Sequence, residues 1–193
     1  MAGERDHPTR SGWMRASALV GGLLLSWLLM QLLHEAGHVL HAWASGGAVE
    51  RVELHPLRFS RTVLAANPRP QLVAWGGPVW GCLLPLGAWL LARRAGPGAD
   101  VAGRVLVSFC CVANAIYVGT GPMTWAGDAG DLLLSGAPAW ALVAFGLLAF
   151  GGGLALGWDL PERLRRVTPS GRAVAIVWGA AFGLAVLEVA ALG

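Results

Sequence analysis

Long apolar runs, separated by short polar or arginine-bearing segments, recur along the whole 193-residue chain. Each run reaches or nearly reaches the about 20 residues that a helix needs to cross about 30 Å of hydrocarbon. No internal repeat or linker interrupts the pattern. It therefore predicts an all-α multi-pass membrane protein with a single membrane-embedded domain over residues 1–193. The five expected transmembrane helices lie at about residues 16–44, 72–92, 101–118, 137–157 and 173–192.

A different pattern follows the first apolar run. The segment "AVERVELHPLRFSRTVLAA", residues 48–66, alternates apolar and polar positions around Val52 and Leu54 and carries a His-Pro break. Alternation with a period of two is typical of a strand rather than of a helix. The sequence therefore predicts a short β-rich insert between the first two transmembrane helices.

The composition agrees with a membrane protein and excludes one class of partner. Hydrophobic residues make up 55% of the chain and charged residues only 13%, with a mean hydropathy of +0.58. A soluble domain carries roughly 25% charged residues. All 14 basic residues are arginines, and most of them lie between the apolar runs, as membrane-flanking anchors do. No basic run is interleaved with aromatic residues, so we expect no nucleic-acid partner.

Three ionisable residues occur within the first apolar run, in the sequence "HEAGH". His34 and His38 are four positions apart, so both imidazoles lie on one face of a helix about one turn apart. Two imidazoles in that arrangement can bind a single metal ion. Glu35 then lies beside the ion rather than among its ligands. In the H-E-x-x-H pattern such a carboxylate is the general base for a metal-activated water.

Other interpretations of this polar stripe remain open. It can form hydrogen bonds to neighbouring helices, or it can lie at a helix end already in headgroup water. Against both, a charged residue at the centre of a span costs about 2.5–3.5 kcal/mol, and ionisable residues there usually mark a functional interior. His41 shares the stripe with His38. Three ligands on one straight helix cannot easily surround one ion tetrahedrally, so we favour His41 as an outer or pocket residue.

A catalytic zinc site needs a third protein ligand. The segment "TWAGDAGDLLLSG" contains Asp128 and Asp131 and has no basic residue. Unpaired carboxylates in an apolar, glycine-rich stretch are suited to a cation. An ordinary interhelical loop with helix-capping aspartates is the alternative.

The motifs resemble those of the site-2-protease-like intramembrane zinc metalloproteases over about residues 16–135. "HEAGH" is similar to the first family motif and "GDAGD" to the third. The resemblance implies a three-helix core, with additional helices over about residues 137–192. It also implies that His34 and His38 are zinc ligands and that Glu35 is the catalytic base.

Two further motifs carry the resemblance with departures from the family pattern. "WGGPVWG" resembles the glycine-proline motif of the second core helix, but Gly81 stands where family members usually have asparagine. In the third motif Asp128 follows Pro122 and is followed by Ala129 rather than directly by glycine. The resemblance assigns the third zinc ligand to Asp128, with Asp131 as the rival.

Asn114 precedes Pro122 in the order of the third family motif. The resemblance implies that Asn114 binds substrate, through the peptide backbone or the developing oxyanion. An interhelical hydrogen bond within the bundle is an equally good explanation for this asparagine.

The resemblance implies that the protein is a hydrolase and an integral, multi-pass protein of a cell membrane. The expected activity is that of an intramembrane zinc metalloendopeptidase, cleaving peptide bonds in or near transmembrane segments by metal-activated water. The expected cofactor is Zn²⁺, and the expected partners are the lipid bilayer and a transmembrane protein substrate. Two alternatives remain: an inactive scaffold of the same fold, suggested by Gly81 and Ala129, and a transporter or haem-binding protein that uses the intramembrane histidines.

Overall fold

The structure is a computed structural model that describes residues 10–191. Over this range the chain folds into α-helices and one two-stranded hairpin, with a single 3₁₀ turn at Arg93–Ala95. The elements in chain order are α1 (Arg10–Ala44), β1 (Ala48–Glu53), β2 (Arg61–Ala66), α2 (Pro70–Ala92), α3 (Pro97–Gly119), α4 (Gly121–Thr124), α5 (Gly127–Leu134), α6 (Ala139–Gly157), α7 (Leu160–Arg166) and α8 (Gly171–Ala191).

Five of the described helical segments are long and apolar enough to cross a membrane: α1, α2, α3, α6 together with α7, and α8. The predicted all-α multi-pass fold, with five spans and a short β insert after the first, is therefore confirmed. The first apolar segment begins at Ser11 rather than at residue 16, and the fourth continues through α7.

Helices α1, α2 and α3 form the centre of the bundle. Helix α1 packs against α2 and α8, α2 packs against α3, and α3 packs against α6. The backbones of α1 and α2 approach closely at Gly37 and Gly76, where a Cβ on either glycine would meet the backbone of the other. Small residues permit this approach between membrane helices. The crossing places the His34 and His38 face of α1 directly against α2.

The hairpin lies against α1. Strands β1 and β2 pair antiparallel, from Ala48 opposite Ala66 to Glu53 opposite Arg61. The connection between the strands is held to α1 by two hydrogen bonds. The Trp27 indole donates to the Pro56 carbonyl at 2.8 Å, and the Gln31 amide donates to the His55 carbonyl at 3.3 Å. The polar insert is therefore bound to the first helix along its length.

Two short helices follow α3 and bring the third sequence motif back to the bundle. The chain turns at Trp125 and Gly127, which have φ values of 53° and 55°. Helix α5 then packs against α2 and α3 through a buried apolar cluster that includes Ala129 and Leu132. This return places the first turn of α5, with Asp128, beside the histidines of α1.

Two acidic groups elsewhere in the bundle, Asp100 and Asp159, are bound by arginines. Asp100 accepts hydrogen bonds from the Trp89 indole at 2.9 Å and from Arg163 at 2.9 Å, and Arg104 lies 3.3 Å from the same carboxylate. Asp159 pairs with Arg163 at 2.7 Å. These contacts hold α2, α3 and α7 together, and they account for Asp100 and Asp159 without a metal ion.

Candidate metal centre

Three donor atoms from two distant parts of the chain converge at one point. Oδ2 of Asp128 lies 2.7 Å from Nε2 of His34 and 3.2 Å from Nε2 of His38, and the two Nε2 atoms are 3.2 Å apart. His34 and His38 are buried, and Asp128 is partly buried. Helix α1 supplies the imidazoles and the first turn of α5 supplies the carboxylate.

The other nitrogen of each imidazole is bound to an oxygen that can only accept. His34 Nδ1 donates to Oδ1 of Asn114 at 2.7 Å. His38 Nδ1 donates to the carbonyl of Val73 at 2.8 Å, a closer partner than the Gly77 N–H at 3.3 Å. The Asn114 orientation is fixed because its Nδ2 donates to the Cys110 carbonyl at 2.9 Å. With Nδ1 protonated, each neutral imidazole directs its Nε2 lone pair at the shared point, as metal-binding histidines do.

This donor set fits a zinc ion. Two imidazole lone pairs and a carboxylate oxygen facing one another would repel without a cation between them. Tetrahedral zinc with bonds of about 2.0–2.1 Å separates its ligand atoms by about 3.4 Å. The separations of 2.7, 3.2 and 3.2 Å in the structure are somewhat shorter but comparable. Two histidines and one carboxylate are also a donor set of catalytic zinc, which keeps one position open.

Gly77 on α2 provides the space for this centre. A Cβ at Gly77 would fall against Nε2 of both His34 and His38. Only a residue without a side chain leaves room there for the imidazole donors. The glycine of "WGGPVWG" therefore has a direct steric role at the candidate metal centre.

Glu35 lies beside the three donors rather than between them. Its carboxylate is within 4.8 Å of the histidine donor atoms, and Oε2 accepts a hydrogen bond from the Thr62 hydroxyl at 2.6 Å. The side chain is buried and lines a large cavity that also contacts His34 and His38. This arrangement agrees with a carboxylate adjacent to the ion, as the H-E-x-x-H spacing predicts.

The two aspartates of the third motif have different environments. Asp131 is exposed and its side chain makes no hydrogen bond or ion pair within residues 10–191, whereas the Asp128 carboxylate contacts both histidines. For Asp131, burial and the nearby Asp128 charge raise the pKa. Of the two rivals, the structure brings Asp128 to the centre.

Both departures from the family pattern have a local explanation. A Cβ at Gly81 would lie 2.8 Å from Nδ2 of Asn114, so glycine leaves the room that this side chain occupies. Ala129 is helical and buried, so it needs no special backbone conformation. The positive φ values of this segment lie at Trp125 and Gly127, which precede the aspartate instead of following it.

His41 is engaged elsewhere. Its Nδ1 donates to the Leu72 carbonyl at 2.7 Å, and its Nε2 accepts a hydrogen bond from the Trp80 indole at 3.1 Å. Both ring nitrogens are therefore used in joining α1 to α2. His41 is not among the described residues that line the cavity, so it is neither a third ligand nor a pocket residue in this structure.

A cavity of about 1290 Å³ opens onto the candidate centre. Its walls come from α1, the hairpin, the start of α2, α3 and the α4–α5 region. Apolar side chains such as Trp27, Phe59, Leu64 and Ile116 line it together with His34, Glu35, His38 and Asp128. The polar groups of the first helix therefore face a space large enough for a peptide segment.

Sequence reasoning missed two residues that contact the candidate site. Tyr117, the only tyrosine of the chain, accepts a hydrogen bond from the backbone N–H of Asp128 at 3.2 Å. A Cβ at Gly127 would collide with the same hydroxyl. Tyr117 follows Asn114 by three positions and so shares its helix face, a signal that was present in the sequence. Thr62 gave no comparable signal, because its partner Glu35 is distant in sequence.

Comparison with known protein families gives one match. Residues 15–126 match the Peptidase M50B-like family, and this range is more than half of the chain. The match includes His34, Glu35, His38 and Asn114 and ends before Asp128. No curated protein and no solved structure matches the chain. The chain therefore belongs to the Peptidase M50B-like family of site-2 proteases, and it is an integral multi-pass membrane protein.

Proposed function

We propose that the protein is an intramembrane zinc metalloendopeptidase that hydrolyses peptide bonds in or near transmembrane segments. The observation that supports this proposal most strongly is the convergence of His34, His38 and Asp128 beside the buried carboxylate of Glu35. Membership of a peptidase family supports the same class of reaction.

In this proposal His34, His38 and Asp128 hold the zinc ion. Asn114 and the Val73 carbonyl fix the tautomer and the orientation of the two imidazoles. When bound, zinc acts as a Lewis acid and lowers the pKa of water.

Glu35 is the proton carrier of the proposed reaction. Its carboxylate accepts a proton from the water that attacks the scissile carbonyl carbon. It then delivers that proton to the amide nitrogen as the C–N bond breaks, so the products are a carboxylate and an amine. Within the described residues the Glu35 side chain receives one hydrogen bond, on Oε2, which leaves Oε1 available for this transfer.

The substrate must reach this centre as an extended chain. A helical peptide bond is shielded by its own hydrogen bonds, and an extended one is open to attack. Thr62 and Leu64 of β2 line the cavity, so an unwound substrate segment has a strand beside it with which it can pair. Because both polar atoms of Asn114 are already bonded within the bundle, we assign it the orientation of His34. Its predicted contact with substrate remains a prediction.

The geometry argues against haem binding. The Nε2 atoms of His34 and His38 lie 3.2 Å apart on one helix and face the same point. Axial ligands of haem approach the iron from opposite sides of a plane. A single small ion suits this pair of imidazoles better.

Cleavage in a reconstituted membrane tests the proposal. The full chain is placed in liposomes with a set of single-span membrane proteins, and products are mapped by mass spectrometry. We expect cuts within or next to the spans, loss of cleavage with the zinc chelator 1,10-phenanthroline, and recovery with added zinc. A preparation of His34→Ala/His38→Ala serves as the control for contaminating proteases. Cleavage that persists in that variant, or that resists chelation, would contradict the proposal.

A further inference from the structure

Three residues of α1 at four-residue spacing bind the hairpin. Trp27, Gln31 and Glu35 lie on one helical face, and each makes a hydrogen bond to the hairpin segment. Trp27 and Gln31 donate to the backbone carbonyls of Pro56 and His55, and Glu35 accepts from the Thr62 hydroxyl. The bonds at Trp27 and Gln31 hold the hairpin in register along α1. The bond at Glu35 ends the row at the candidate metal centre.

The contact between Thr62 and Glu35 is short and directional. Its 2.6 Å distance is typical of a hydroxyl that donates to a charged carboxylate. Glu35 is only 3% exposed, so a protein donor has a large influence on the orientation of its carboxylate. Thr62 supplies the only hydrogen bond that this side chain receives from residues 10–191. The contact therefore determines which way the carboxylate faces.

The hairpin register places the Thr62 hydroxyl at this position. Thr62 pairs with Val52 of β1, and its neighbours on β2 are Arg61 and Val63. Side chains alternate between the two faces of a strand, so a shift of one residue would turn Thr62 away from Glu35. Neither neighbour can replace it, because valine has no donor and arginine would add a full charge.

We propose that Thr62 is a positioning residue for the catalytic step. It holds Oε2 of Glu35 and so directs Oε1 toward the reacting water. This inference rests on the proposed function, and it assigns to the hairpin a part in catalysis that is separate from pairing with the substrate. Thr62 acts through Glu35, and its side chain makes no hydrogen bond to His34, His38 or Asp128.

The test is a pair of substitutions at one position. Thr62→Val keeps the shape and the strand preference and removes the donor, whereas Thr62→Ser keeps the donor. We expect Thr62→Val to lower kcat by about tenfold or more, since one hydrogen bond to a charged group typically corresponds to roughly 10–150-fold. KM and zinc content should stay at the wild-type values. Thr62→Ser should restore most of kcat, which a purely structural role of the side chain does not predict.

Thr168→Val is the matched control, because it removes a threonine hydroxyl that is bonded to Arg15 at the far end of α1. It should leave kcat unchanged. A wild-type or raised kcat in Thr62→Val would overturn the inference, and so would equal losses in the valine and serine variants. Glu35→Gln, assayed in parallel, separates the two proposals. Cleavage in Glu35→Gln contradicts the proposed function itself, whereas an inactive Glu35→Gln with a normal Thr62→Val contradicts only the role of Thr62.

Discussion

His34 and Asn114, 80 residues apart in sequence, are joined by a 2.7 Å hydrogen bond from Nδ1 to Oδ1. Through this bond α3 sets the orientation of an imidazole that belongs to α1. The room for it comes from α2, where Gly81 has no side chain to displace the asparagine. Three helices therefore cooperate in placing one donor atom of the candidate metal centre.

Replacing Asn114 with alanine should weaken zinc binding while leaving the ligands in place. Without the acceptor, the His34 ring is free to rotate and to change tautomer. Loss of such an outer hydrogen bond typically costs 10–100-fold in metal affinity, and we expect a change within about that range. Competition with a chromophoric chelator measures the affinity.

The aspartate variant tests the reason for that change. Asn114→Asp keeps an oxygen that accepts from His34 Nδ1 and should bind zinc more tightly than Asn114→Ala. If both variants bind zinc like the wild type, His34 is oriented by something other than Asn114.

Gly77→Ala should abolish zinc binding, because the added Cβ would lie against both Nε2 atoms. Gly87→Ala on the same helix is the matched control, since a Cβ there meets nothing within 4 Å. We expect the control to keep full zinc content and the Gly77 variant to retain its helical circular dichroism but no stoichiometric zinc. Equal zinc in the two variants would show that the centre lies elsewhere than at the α1–α2 contact.

Asp128→Ala and Asp131→Ala should differ in zinc affinity. In the proposed centre Asp128 is an anionic ligand, so its removal should lower zinc affinity by more than the roughly 10–100-fold typical of outer residues. Asp131 lies three residues further along α5 and does not contact the histidines, so its alanine variant should keep metal and activity. Metal analysis after dialysis distinguishes them, and the reverse ordering would reassign the third ligand.

Much of the fold follows from local patterns. The five spans were predictable because each apolar run is long enough to cross the bilayer, and the hairpin was predictable from the alternation at Val52. The pairing of His34 with His38 followed from helical spacing alone. These features depend on neighbours in sequence, which a single chain displays directly.

The remaining features depend on long-range packing. The turn at Gly127 and the buried cluster around Leu132 bring α5 back to α1, and no local pattern encodes that approach. His41 was expected in an outer or pocket position, yet it pairs with the Trp80 indole instead. The contact of Thr62 could not be predicted from the sequence for the same reason, because its partner Glu35 lies on another element.

The most direct test of the account measures zinc and cleavage in one preparation of Glu35→Gln. Glutamine keeps the shape of the side chain but cannot carry the proton, and in our account Glu35 is not a metal ligand. We predict about one zinc per chain, as in the wild type, and no detectable cleavage of a membrane substrate in liposomes. Cleavage near the wild-type rate would contradict the role of Glu35 as the base. Loss of the zinc together with activity would contradict its position outside the ligand set.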